Sequence, residues 1–420
     1  MRITRLMTAA LACAALAVAG CGGDDEEASG GAKKVDAGAA DQAKGNVNWC
    51  IGKDTTGTFS KAVKEFSSKG QVKAKLIELP EAADQQRTQL VQRLRAKSAE
   101  CDVLGMDVIW TAEFAAQDWL QDVSDIVAKR ADDWIPSTLE TAKYEDKYYA
   151  LPYNTNAGFV YYRTDQVQQP PDNWEDVYSE AQKGDGLVYQ GARYEGLTVN
   201  FLELLYSAGG KALSDDGKTV EIDSPEAVEV LEFMADGVEQ GAVPEANSTY
   251  KEEEARRAFE GGKATFMRNW PYAYSLGKDS KIADDFDIAT FPKFGEGEGA
   301  GVLGGYDVAI SAYSKNPEGA AAFAEFLTSP DWQRTIMTEA SLPSTLTATY
   351  DDPAVQKAFP FAEKLRTAVE QAQPRPVTPV YPQVSEAIFK NVHAALKGDM
   401  PPEEATKTMK SEIEKALQTF

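Results

Sequence analysis

Histidine is almost missing from this chain: among 420 residues there is one, His393. With a single imidazole and no free cysteine of lowered pKa in view, a Ser-His-Asp or Cys-His arrangement has no base to build on. A histidine-built metal site lacks its ligand set for the same reason. Positive charge is scarce as well. Lys and Arg number 43 against 66 Asp and Glu, for a net charge of −23. Such a surface argues against a nucleic-acid partner and against a basic membrane-binding role. No run beyond the N-terminus is long and apolar enough to span a bilayer. No Walker A or Rossmann glycine pattern occurs. The glycines of Gly299–Gly305 (GAGVLGG) loosely follow G-x-G-x-x-G, but they lie inside a strand-like run rather than between a strand and a helix, so no nucleotide is expected. No D-x-D-x-D-G loop is present, and Glu252–Glu254 and Asp351–Asp352 read as solvated faces rather than calcium sites. No cofactor, no metal and no catalytic residue is expected.

What is present is enough apolar and aromatic side chain, 43% and 10%, to bury large cores. The length exceeds a single ordinary core and predicts two domains or lobes. The N-terminus reads as an export signal: Arg2 and Arg5, then a short apolar run over Leu11–Val18. The signal is expected to span residues 1–20. Val18-Ala19-Gly20-Cys21 resembles the lipobox of bacterial lipoproteins, in which Cys21 would carry the lipid. Residues 21–45, rich in Gly, Ala and Asp, read as a flexible tether. Of the four cysteines, Cys13 leaves with the signal and Cys21 is the anchor. Cys50 and Cys101 remain, each in an apolar strand-like run. A disulfide is feasible if those strands are neighbours; two buried free thiols are the alternative.

Strands and helices alternate from Asn46 onward. Val47–Ile51, Val72–Leu79 and Val103–Ile109 read as strands, and Phe59–Phe66, Asp84–Ser98 and Glu113–Leu120 as helical segments. This pattern predicts an α/β layer. Further on, Glu195–Ala208 reads as a strong helix, Ser224 as a cap ahead of Pro225, Pro317–Leu327 and Asp331–Ala340 as helices, and Val384–Phe420 as two amphipathic helices. Gln371–Pro382 is too proline-dense for regular structure. Tyr149–Asp165 holds two strand-like runs separated by the polar, flexible knot Asn154–Gly158. Taken alone, the knot is either a hairpin turn or a crossing between two packed bodies. A second softened strand at Gly304-Gly305 favours the crossing.

Aromatic residues stand beside polar ones after several of these strands, where loops line clefts in α/β proteins. Trp110 follows Asp107. Tyr153 flanks Asn154 and Asn156. Trp270 and Tyr272 sit beside Arg268 and Asn269, and Tyr306 follows Gly304-Gly305. A sugar offers an apolar face to a flat ring and a rim of hydroxyls to Asp, Asn and Arg. For any one of these aromatics, a place in the core is the equal alternative.

The lipobox, the tether, Met106–Ala115, Leu151–Arg163, Phe266–Trp270, Gly304-Gly305-Tyr306 and Pro374-Arg375-Pro376 together resemble the extracellular solute-binding proteins of ABC importers. The nearest branch is the trehalose/maltose-binding group. The resemblance implies a periplasmic-binding-protein-like type II fold, two α/β lobes joined by a multi-segment hinge around a ligand cleft. Crossings would fall near Asn154–Gly158, Gly304–Tyr306 and Tyr350. Residues 46–155 would form the first lobe and 156–304 the second, with 305–350 returning to the first and 351–420 to the second. Carried over by position, Asp107 would accept sugar hydroxyls, with Asn156 as a neutral partner where some relatives carry Asp. Trp270 and Tyr272 would stack on the ring. Gly304 and Gly305 would let the backbone approach, with Tyr306 beside them, and Arg375 would donate near the glycosidic bond. Asp54 and Arg87 match pocket positions by spacing alone. The implied protein is not an enzyme. It is a monomer held by lipid on the outer face of the membrane, which captures an α-glucoside for an ABC permease. The other readings are a receptor for another solute (oligopeptide, polyamine, glycerol-phosphate) and a secreted glycosidase. The glycosidase lacks a second acid to partner Asp107.

Overall fold

The computed structural model describes residues 34, 35, 38 and 42–419, apart from 55, 81, 82 and 216. The expected signal, Cys21 and most of the expected tether lie outside the described residues. The fold itself begins earlier than Asn46. Gly45 already opens the first strand. Val35, an apolar side chain within the stretch read as tether, is buried against the first core, with its N–H on the Asp122 carbonyl at 3.2 Å. One valine with a core to enter is enough to dock a segment that composition alone assigns to solvent.

Two sheets carry the architecture. The first has five strands in the order Val72–Glu78, Gly45–Ile51, Val103–Asp107, Gly304–Ile310, Ala150–Asn156. The first three are parallel, as their helical crossovers require, and Gly304–Ile310 runs antiparallel to both its neighbours. The second sheet has the order Phe286–Ala289, Phe159–Arg163, Phe266–Asn269, Leu187–Val188. Trp49, Phe323 and Trp332 anchor the core of the first sheet. The helix Glu195–Ser207 is buried almost all round beneath the second, where it packs on Tyr381–Leu396 and Pro225–Glu239. The alternation expected from the sequence is present, with three shifts. The third strand stops at Asp107, because the Asp107 carboxylate accepts the Ile109 N–H and turns Val108–Trp110 into a 3₁₀ turn. Gly304 opens its strand instead of interrupting it. The proline-dense stretch is irregular only to Val380, since Pro382 sits in the first turn of a helix that starts at Tyr381.

The knot at Asn154–Gly158 is not a hairpin. The strand before it pairs in the first sheet and the strand after it pairs in the second. Gly158 is confined there: a Cβ would lie 2.7 Å from Arg268 Nη2 and 2.7 Å from Phe291 Cζ. On the return, Gly305 takes φ +116°, and a Cβ would lie 2.2 Å from the Asn154 carbonyl oxygen. Only glycine satisfies both conditions. Cys50 and Cys101 are bonded, with Cα atoms 5.6 Å apart, and tie the strand Gly45–Ile51 to the residues just ahead of its neighbour Val103–Asp107.

Local rules hold the periphery. Asn173 Oδ1 accepts the Asp176 N–H at 2.7 Å and caps the helix Trp174–Lys183. Asn173→Ala should lower the stability measured by urea titration by about 1 kcal/mol, the usual worth of such a cap. An unchanged midpoint would count against that role.

Candidate functional site

Where the strands Val103–Asp107 and Gly304–Ile310 lie side by side, Asp107 and Tyr306 are direct partners. Next along the same strand, Gly304 faces Asn156. The Trp270 ring closes on this edge from the second sheet: a Cβ on Gly304 would meet its Cη2 and Cζ3 at 3.2 and 3.3 Å. Arg375 reaches the edge from the irregular segment after Gln371. Its Nη2 donates to Asp107 Oδ1 at 2.9 Å, and its Nη1 donates to Glu195 Oε1 at 2.8 Å. Asp107, Asn156, Trp270, Gly304, Gly305, Tyr306 and Arg375 therefore lie together at the junction of the two sheets.

Arg375 is 5% exposed and its Nε has no partner. Burial opposes its charge, but Asp107, Tyr381 and Glu195 outweigh that and raise its pKa. Glu195 is pushed the other way by burial, up from the usual carboxylate range, although Arg375 and the hydroxyls of Ser385 and Tyr381 favour its ionised form. The Tyr381 hydroxyl donates to Glu195 Oε1 at 2.6 Å. The Tyr306 hydroxyl donates to Gln86 Oε1 at 3.3 Å, and its pKa is pushed up to about 12 by burial and by the charge of Asp107. The site thus offers a carboxylate held by one guanidinium, a second, half-buried acid, and two phenols that stay protonated. These are hydrogen-bonding groups without an activated nucleophile.

Trp270 stands on a buried support. The Arg268 guanidinium lies 4.0 Å from the centre of its ring. Arg268 is itself 2% exposed, paired with Glu203 at 1%, and its Nη1 donates to Gln190 Oε1 at 2.9 Å. The cation covers one ring face by a cation–π contact. Tyr272, two residues on, donates its hydroxyl to Glu253 Oε1 at 2.8 Å.

Two residues matched by spacing have other partners. Arg87 makes a two-point ion pair with Glu113. Asp54 accepts the N–H groups of Phe59 and Ser60, at 3.3 and 2.8 Å, and so holds the start of the helix Thr58–Lys69. Trp110 and Tyr153 are core residues: Trp110 stacks with Phe114, and Tyr153 meets the edge of Trp49. Glu195, Glu203 and Gln86 were missed by sequence reasoning. Gln86 and Glu203 sit inside amphipathic or apolar helical stretches, where an isolated polar residue on an inward face was the available signal.

Two α/β layers joined by paired crossings thus place a polar and aromatic edge where their sheets meet. The family model "Bacterial extracellular solute-binding protein" matches residues 52–334, and the chain belongs to that family. A probable ABC transporter-binding protein of Deinococcus radiodurans is 35% identical over 361 residues, covering 81% of this chain and 85% of the relative. A mannitol-binding protein of Pseudomonas aeruginosa is 25% identical over 354 residues, covering 76% and 81%. Among solved structures, maltose-bound MalE3 of T. maritima superposes with a TM-score of 0.81 at 34% identity, covering 88% of this chain and 99% of that one. The fold is that of type II periplasmic sugar-binding proteins. The relatives are solute-binding proteins of ABC transporters rather than enzymes, and the family acts outside the cytoplasm.

Proposed function

We propose that the chain is a lipid-anchored monomeric receptor that captures an α-linked glucoside of the maltose or trehalose type and delivers it to an ABC permease. The observation that carries this reading is the 34% identity, over nearly the full length, to a maltose-bound structure. The Asp107–Arg375 contact and the Trp270 ring meet at the same junction. In this reading Asp107 accepts sugar hydroxyls, Arg375 donates to them, and Asn156 adds a neutral hydrogen bond. The Trp270 face opposite Arg268 takes the apolar side of a ring. Gly304 and Gly305 keep the backbone edge free of side chains, and Tyr306 and Tyr272 flank it. Glu195 orients Arg375. Arg87 and Asp54 act at the rim, through the groups they already hold. No bond of the sugar is broken. Closure follows because the ligand contacts both lobes, which shifts the population toward the closed form. Cys21 supplies the lipid anchor.

A thermal-shift series over maltose, trehalose, maltotriose, mannitol and glucose tests the ligand class. A sugar at 100 times its dissociation constant should stabilise the fold by about 2.7 kcal/mol. A response to mannitol alone would move the class to polyols. Trp270→Ala should weaken the best ligand by about 2 kcal/mol in calorimetry, since a stacked ring in a desolvated pocket is a binding hot spot. Unchanged affinity would remove Trp270 from the site. Free glucose released from maltose or trehalose would contradict the non-enzymatic reading.

A further inference from the structure

Glu195 opens the helix Glu195–Ser207, and most of its lone pairs are taken by protein groups. Oε1 accepts from Arg375 Nη1 at 2.8 Å and from the Tyr381 hydroxyl at 2.6 Å, and Oε2 accepts from the Ser385 hydroxyl. Asp107 differs. Its Oδ1 takes Arg375 Nη2 and the Ile109 N–H, and its Oδ2 has no partner among the described residues. Asp107 thus keeps an oxygen for a ligand, while Glu195 is committed to holding Arg375. Both hydroxyl donors to Glu195 come from one face of the helix Tyr381–Leu396, four residues apart, where side chains lie one above the other. Tyr381 and Ser385 are 1% and 3% exposed. Tyr381 acts on the guanidinium twice. Its ring centre lies 6.0 Å from Arg375 Cζ, and its hydroxyl holds the acid to which Arg375 donates. Ser385 is held in turn by Thr198, whose Oγ1 lies 2.9 Å from Ser385 Oγ and 3.1 Å from the Ser385 carbonyl oxygen. Ser385 gives its one hydroxyl proton to Glu195, so Thr198 is the donor in that contact. Thr198 stands three residues after Glu195 on the same helix, so two packed helices close this cage from both sides.

We propose that Tyr381 and Ser385 are positioning residues for the ligand: through Glu195 they fix how far, and at what angle, Arg375 reaches across the junction toward Asp107. This role deepens the reading of Arg375 as a donor to the sugar and rests on it. Neither residue needs to touch the sugar. An arginine side chain is rich in rotamers, and a ligand that has to order it loses affinity by that amount. The acid, the phenol ring and the hydroxyls order it in advance. A hydroxyl on each carboxylate oxygen fixes the plane of the acid, and that plane fixes the direction of Arg375 Nη1. The same hydroxyls favour the ionised acid against the burial that opposes it, so they also preserve the charge with which Arg375 pairs.

Two measurements test this role, one of them without any sugar. The Arg375 Nε–H is buried and lacks a partner, so its exchange with solvent reports how firmly the side chain is held. Nitrogen NMR of the full chain follows that exchange, with Arg375→Lys assigning the signal. Tyr381→Phe and Ser385→Ala, each of which removes a hydroxyl and little else, should speed it severalfold. Calorimetry with whichever of maltose and trehalose binds then compares Tyr381→Phe in the wild-type and Glu195→Gln backgrounds. The expected loss of affinity is about tenfold in the first, part of the worth of a hydrogen bond to a charged group. It should be under about twofold in the second, where the acid that Tyr381 acts through is gone. Equal losses in the two backgrounds, or unchanged Arg375 exchange in both hydroxyl variants, overturns the proposal. If neither sugar binds, the ligand reading fails, and the exchange measurement alone decides whether Tyr381 and Ser385 hold Arg375.

Discussion

Glu203→Ala is expected to cost about 3–5 kcal/mol of stability, the range for removing one partner of a fully buried ion pair. The pair is buried on both sides, with Arg268 2% and Glu203 1% exposed. Desolvation raises the Glu203 pKa in spite of Arg268, so the pair is held at the expense of its hydration. Removing the acid leaves a guanidinium with Gln190 as its remaining polar partner. A second effect follows in function, because the same guanidinium lies 4.0 Å from the Trp270 ring. Sugar affinity should fall along with stability, through the position of that ring. Urea titration and calorimetry on the same variant measure the two effects. The double variant Glu203→Leu/Arg268→Met should be less destabilised than Glu203→Ala, as replacement of a whole buried pair usually is. A loss below about 1 kcal/mol in Glu203→Ala would mean that water or a neighbour replaces the acid.

Arg375→Met is expected to have an effect of similar size, about 3–5 kcal/mol, divided between stability and binding. It strands two acids, Asp107 and Glu195, one on each side of the junction. Glu195 already has a raised pKa from burial, and without Arg375 it should take up a proton at still higher pH. The variant should therefore recover part of its lost stability as pH falls toward 5, because protonation removes the uncompensated charge. Affinity for the sugar should fall with the lost donor at any pH. Adding Glu195→Gln should restore part of the stability and none of the affinity. Recovery of both would show that Arg375 acts only by neutralising Glu195.

The alternation of strands and helices was legible because each element carries its own period and punctuation, as in Val72–Glu78 or Pro317–Leu327. Two of the three expected crossings were legible in the residues themselves, since a chain that leaves one sheet for another needs the small residues found at Asn154–Gly158 and Gly304-Gly305. The supports of the site were not. Arg268 and Glu203 stand 65 residues apart, and Arg375 and Glu195 stand 180 apart. No local pattern encodes such pairings. Asp54 and Arg87 were placed by spacing alone, and spacing carried no sign of the partners they hold, the start of the helix Thr58–Lys69 and Glu113.

The bond between Cys50 and Cys101, 51 residues apart, ties the first strand to the segment that leads into the third strand of the same sheet. A cross-link of that kind contributes roughly 2–4 kcal/mol by restricting the unfolded chain. It forms in oxidising compartments and is withheld in a reducing one. A protein that works outside the cytoplasm thus gains part of its stability only after translocation. The same chain is therefore easier to unfold in a reducing compartment than in an oxidising one.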